Sequence, residues 1–127
     1  MVEQRIRNRV IEYFDLAASF GEQRQYERAV PFVNVPYEVI NMWEDNFPKD
    51  PSKDSNLLVV YSPDEVKAIR NFHVVWDVAA DAVPTNYPTL AEVQALPAWE
   101  QLRHAAAFAR EVFARRGTMP EDREVPG

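Results

Sequence analysis

The stretch Ser62-Pro-Asp-Glu-Val-Lys-Ala-Ile-Arg-Asn-Phe-His-Val-Val-Trp-Asp-Val-Ala-Ala-Asp-Ala-Val83 carries the strongest structural signal in the chain. Ser62 can cap a helix, Pro63 suits the first helical position, and Glu65 stands three residues after the cap. This capping box satisfies orphan backbone donors and sets a carboxylate against the positive end of the helix dipole. At roughly 100° per residue, Ile69, Phe72, Trp76, Ala79, Ala80 and Val83 share one face. Val74, Val75, Val78 and Ala82 make a second apolar side, and between the two runs a polar strip of Arg70, His73, Asp77 and Asp81. A helix apolar on two sides is either central in its own fold or shared with a partner.

Upstream, residues 3–20 read as a first helix, with Ile6, Val10, Tyr13, Phe14, Ala17 and Phe20 on one face. Gln4, Asn8, Glu12, Asp15 and Ser19 fall opposite, and the alternating Arg5, Arg7 and Arg9 splay around the helix as a solvated surface. Periodicity weakens over 22–35, where 30–35 looks extended. Pro36 then opens a second helix through Phe47, with Val39, Ile40, Trp43 and Phe47 as its buried stripe. Residues 48–56 hold two prolines and no large apolar side chain, and are expected to be the most mobile segment. The short apolar run 57–61 would need a partner as a strand, and 30–35 is the candidate.

Downstream, Pro84–Pro88 breaks the chain, and Thr89 with Glu92 opens a short helix over 89–96. Pro97 begins a last long helix to Arg116, whose Trp99, Leu102, Ala105, Ala106, Ala109, Val112 and Phe113 form an alanine-rich stripe fit for close helix packing. Gly117 suits a left-handed stop. The expected fold is all-α: a small bundle of four principal helices (3–20, 36–47, 63–82, 97–116) and one short helix, with a minor two-stranded β pair as an added element. One domain is expected over 1–117, and residues 118–127 as a charged, proline-containing tail.

Composition narrows the function classes. The chain has no cysteine, which removes disulfides and thiolate chemistry, and three unclustered glycines, which remove a phosphate-cradling loop. No run reaches the roughly 18 apolar residues of a membrane span, and the N-terminus shows no signal-peptide pattern, so a cytoplasmic protein without membrane association is expected. The net charge of −6 lies in the middle of the chain: residues 38–92 carry ten acids against four bases, whereas both flanks balance. That distribution opposes nucleic-acid binding and suits either a basic protein partner or, as the plainer reading, simply solubility.

Each histidine has a carboxylate one helical turn away, His73 before Asp77 and His104 after Glu100. The second pair falls on a solvated face. His73 borders the core, so His73, Asp77 and Asp81 are the candidates for a metal or for acid–base chemistry, although the plainer expectation is that Asp77 accepts a hydrogen bond from a half-buried imidazole. No cofactor is implied, and the lack of catalytic signatures inclines the reading away from an enzyme. It favours a binding or regulatory protein that works through protein–protein contacts, of which an inhibitor or immunity-type protein masking a basic partner is one form. Val74, Val75 and Val78 are the interface candidates, and a homodimer joined through that side is a further expectation.

Overall fold

Side-chain caps set where the helices begin. The computed structural model describes residues 2–59, 61–86 and 88–118. Within them lie α1 (Val2–Ala17), α2 (Phe20–Ala29), α3 (Val35–Asn46), α4 (Pro63–Ala82), α5 (Leu90–Gln94) and α6 (Pro97–Ala114), with a 3-10 turn at Ser55–Val59. Ser19, Asn34, Ser62 and Thr89 each occupy an extended N-cap and accept a hydrogen bond from a backbone amide three residues on. At Ser62 the box closes both ways, with Ser62 N–H donating to Glu65 Oε1 at 3.1 Å and Glu65 N–H to Ser62 Oγ at 3.2 Å. Gly117 takes the expected left-handed conformation, φ 69°, after α6. The charged tail, from residue 119 onward, lies outside the described residues.

Three expectations are corrected. The first helix ends at Ala17, because Ser19 leaves the polar face to cap a separate α2. The four principal helices are therefore joined by a fifth substantial one. No strand occurs among the described residues: the 57–61 run is taken up mostly by the 3-10 turn, and 30–35 turns into α3. Two short apolar segments with no third strand gain too little from pairing, while Leu57 and Tyr61 reach the core without it. Finally, Arg7 is not solvated. It is fully buried, and Gln4 and Asn8 beside it are buried as well.

Arg7 is buried because it meets Glu65, itself 1% exposed. Its Nη2 donates to Glu65 Oε2 at 2.7 Å and its Nε to Oε1 at 3.3 Å. Arg116 adds Nε to Oε2 at 3.1 Å and Nη2 to Oε1. Arg7 Nη1 donates to the Gly117 carbonyl, and the Phe113 carbonyl lies 3.5 Å from Nη2. A charge taken out of water is tolerated only when it is paired and hydrogen-bonded in this way. The cluster places the start of α4 beside the end of α6, so these two helices run antiparallel, and they form the most extensive helix pair of the molecule.

A second polar knot lies at the other end of α1. Gln23, fully buried, donates from Nε2 to the Leu16 and Ala17 carbonyls at 3.2 and 3.4 Å. Its Oε1 accepts from Trp99 Nε1 at 3.0 Å and Gln94 Nε2 at 3.2 Å. One amide thus satisfies open carbonyls of α1 and binds α2, α5 and α6 together. Between the two knots, Phe14 meets Trp43, Phe72 and Phe113 with ring centroids 5.2–5.8 Å apart, the tilted and edge-on arrangements aromatic rings prefer.

The core also holds two imperfect sites. The hydroxyls of buried Tyr13 and Tyr61 have no hydrogen-bond partner among the described residues. Burial pushes both phenols up, so they stay neutral. Tyr13→Phe, which removes an orphaned hydroxyl and keeps the ring, is expected to raise stability by about 1 kcal/mol in urea denaturation.

Burial pushes the Glu65 carboxyl up, but the hydrogen bonds from Arg116, Arg7 and Ser62 and the charge of Arg7 outweigh it, holding the group below its ordinary value. A carboxyl lowered in the folded state gives stability that is present above the unfolded glutamate pKa, about 4.3, and lost as pH falls through the folded value. Glu65→Gln should cost about 3–5 kcal/mol at neutral pH, by leaving two guanidinium groups facing a neutral amide. The gap between wild type and variant should narrow as the urea midpoints are followed from pH 6 down to pH 3.

Candidate functional site

The polar strip of α4 is where sequence placed any chemistry, and the strip divides along its length. Arg70 and His73 face the segment after α3. Asp77 and Asp81 are exposed, and neither makes a hydrogen bond or ion pair among the described residues.

His73 is 19% exposed and fully employed. Trp43 Nε1–H donates to its Nδ1 at 3.0 Å, which leaves the ring proton on Nε2. That nitrogen faces Asp50 Oδ1 at 3.4 Å. The imidazole also stacks on Trp76, with centroids 5.2 Å apart and planes at 25°. Asp50, not Asp77, is thus the carboxylate of this histidine. The spacing rule pointed to the acid one turn along the same helix, whereas the acid that reaches Nε2 arrives from a loop 23 positions upstream.

Asp50 is held by its own turn. Its Oδ1 accepts from Ser52 Oγ at 2.7 Å and Ser52 N–H at 2.9 Å. These bonds, the hydroxyl's first, hold the carboxyl below its usual range, with His73 and Lys53 adding to them and desolvation opposing. Arg70 straps the same loop from the neighbouring turn of α4, donating Nε to the Pro51 carbonyl at 3.0 Å and Nη2 to the Asp54 carbonyl at 3.3 Å. The segment expected to be most mobile is therefore tied to α4 by two side chains, and Pro51 is buried beneath it.

This geometry is structural. The Nδ1 lone pair is taken by the Trp43 indole and Nε2 carries the proton that faces Asp50, so both ring nitrogens are engaged within the chain. Among the described residues no group of three or more histidine, aspartate and glutamate side chains is placed to hold a metal ion. Shallow clefts of 340–380 Å³ open between α1 and α3, between α3 and the end of α4, and between α1 and α6, and none of these is lined by His73, Asp77 or Asp81. The other histidine, His104, is exposed and lies 3.0 Å from Glu100, whose carboxyl is lowered chiefly by its hydrogen bond with Arg103.

The interface candidates are placed differently. Val74 is 63% exposed and Val78 60%, while Val75 is half-buried against the core. Around them stand Asp77 and Asp81. Phe32, Leu58 and Phe108 are also exposed; none of the three belonged to a residue pattern that sequence singled out as surface. No helix among the described residues is long and apolar enough to cross a membrane. Comparison of the chain with protein-family models, with curated proteins and with solved structures finds no match.

Replacing His73 tests its structural employment. His73→Leu should orphan the buried Trp43 indole N–H and cost about 1–3 kcal/mol, with a change in tryptophan emission. Asp77→Asn should stay within about 0.5 kcal/mol of wild type, because the carboxylate is exposed and unpaired. Equal losses from the two variants would show that Asp77 supports His73 after all.

Proposed function

We propose that this protein is a non-enzymatic binding or regulatory protein that recognises a protein partner through the outer face of α4. The observation that carries the reading is the pair Val74 and Val78, each about three-fifths exposed in the last turns of a helix whose opposite face is buried. Branched aliphatic side chains adjacent on one face gain free energy when a partner removes them from water, about 25 cal/mol per Å² of apolar surface. Asp77 and Asp81 stand beside them, exposed and forming no ion pair among the described residues. The acid excess of residues 38–92 extends the same field.

Charge selects among partners. Acids flanking an apolar strip attract a basic surface, speed its approach and disfavour acidic competitors. A second copy of this chain would bring Asp77 and Asp81 against their own equivalents if the strips met face to face, which opposes the homodimer. An inhibitor or immunity-type protein that masks a basic partner, such as a nuclease, is the form of this function that size and charge fit best. His73 and Asp77 have no part in it, since His73 serves the core.

Capture experiments test the reading. Immobilised wild type should retain one basic protein from native lysate at near-stoichiometric amount, and the Val74→Asp/Val78→Asp variant should lose it. Retention of no such protein, or equal retention by wild type and variant, would count against α4 as the recognition surface.

A further inference from the structure

An indole N–H can only donate, so the acceptor it meets on burial must keep a lone pair free for it. Trp76 and Trp99 bond to the Ile40 carbonyl and the Gln23 side chain, groups that do not titrate. Trp43 instead bonds to Nδ1 of His73 at 3.0 Å. That lone pair is where a neutral imidazole takes up its second proton. Proton uptake there sets one N–H against another. The bond is lost, and the buried Trp43 indole keeps a donor with no acceptor.

The opposite edge of the ring responds the other way. Nε2 faces Asp50 Oδ1 at 3.4 Å, a contact that an imidazolium strengthens. The bonds from Ser52 hold the Asp50 carboxyl below its usual range, so it stays charged wherever imidazoles titrate. Three elements surround the ring. From α3 comes the neutral Trp43 indole, and from the loop comes Asp50 with Lys53 acting on it. On α4 itself, Arg70 stands one turn before and exposed Asp77 one turn after. Arg70 is committed to the Pro51 and Asp54 carbonyls, which keeps the loop on α4 whatever state His73 is in.

The ring thus has a different preferred partner in each protonation state. We infer that His73 is a proton-operated latch between α3 and α4: neutral, it holds the Trp43 indole of α3, and protonated, it releases that indole and turns to Asp50. What loosens is the seam between α3 and α4, because the loop remains strapped. The Trp43 bond requires the proton-free ring, so the stability it contributes is present above the imidazole range and lost as pH falls through it, from about 8 to 5. Glu65 adds its own acid dependence at lower pH, in the carboxylate range.

The test follows the full chain between pH 8 and 5 by proton–nitrogen NMR and by urea denaturation. The Trp43 indole proton should move upfield in step with titration of the His73 ring, while the Trp99 indole holds its position. The wild-type urea midpoint should fall over the same range. His73→Asn places a non-titrating carbonyl near the position of Nδ1, and its midpoint should stay level. His104 is intact in both proteins, so its titration cancels in the comparison. A His73 ring that stays neutral down to pH 5, or a Trp43 resonance that stays fixed while the ring titrates, overturns the latch. So does a midpoint that rises toward pH 5, which would show the Asp50 pair outweighing the lost indole bond. An equal fall in wild type and variant assigns the pH dependence to other groups and overturns it as well. Should His73→Asn fail to fold, the wild-type resonances alone decide.

Discussion

The rest of the structure depends on the carboxylate of Glu65. It closes the capping box of α4, and it is the counter-ion for Arg7 from α1 and Arg116 from the end of α6. Two helix ends of opposite polarity meet there. The start of α4 is positive and has Glu65 against it; the end of α6 is negative and has Arg7 pointing at the Phe113 and Gly117 carbonyls. The ion pair thus sits where each charge is favoured twice, once by its partner and once by a helix terminus. Without that, burying a guanidinium entirely would be costly, because the Coulombic gain of a lone buried pair rarely exceeds its desolvation. Arg7 also lies over the Phe113 ring, 5.2 Å from the centroid, so its apolar surroundings help hold the cation as well.

Local signals were legible and distant ones were not. Ser62, Glu65, Thr89 and Gly117 act on residues a few positions away, so their roles follow from spacing alone. The buried face of α4 followed from its period, as Ile69, Phe72, Trp76 and Ala79 show. Arg7 could not be placed this way. Its partner is 58 positions distant, and nothing within the first helix tells it from exposed Arg5 and Arg9. Gln23 is the same case, a polar residue in a weakly patterned segment whose partners come from three other helices.

The candidate site shows how a sound local rule can choose the wrong partner. Residues i and i+4 do project together, yet His73 and Asp77 diverge because the imidazole turns inward to two indoles and the carboxylate stays in water. The three tryptophans explain the inward turn. Each must find an acceptor for its indole N–H on burial, and they find His73, the Ile40 carbonyl and Gln23 respectively. The histidine that suggested chemistry is thereby the acceptor that lets Trp43 occupy the core. Beyond its buried face, α4 exposes Asp64, Lys67, Asn71, Val74, Asp77, Val78 and Asp81 to solvent.

The bond between Arg7 and the Gly117 carbonyl spans 110 positions, and this has a consequence for how the chain matures. During synthesis at about 5–20 residues per second, Arg7 emerges roughly 5–20 seconds before Gly117 exists. Throughout that interval the first helix has no complete site to dock into, since one of its anchoring carbonyls and the second guanidinium of the cluster are still unmade. The core therefore closes from the wrong end for stepwise assembly on the ribosome: the earliest helix waits for the latest. Its apolar face, with Tyr13 and Phe14, stays open to chaperones and to neighbouring chains for the whole time.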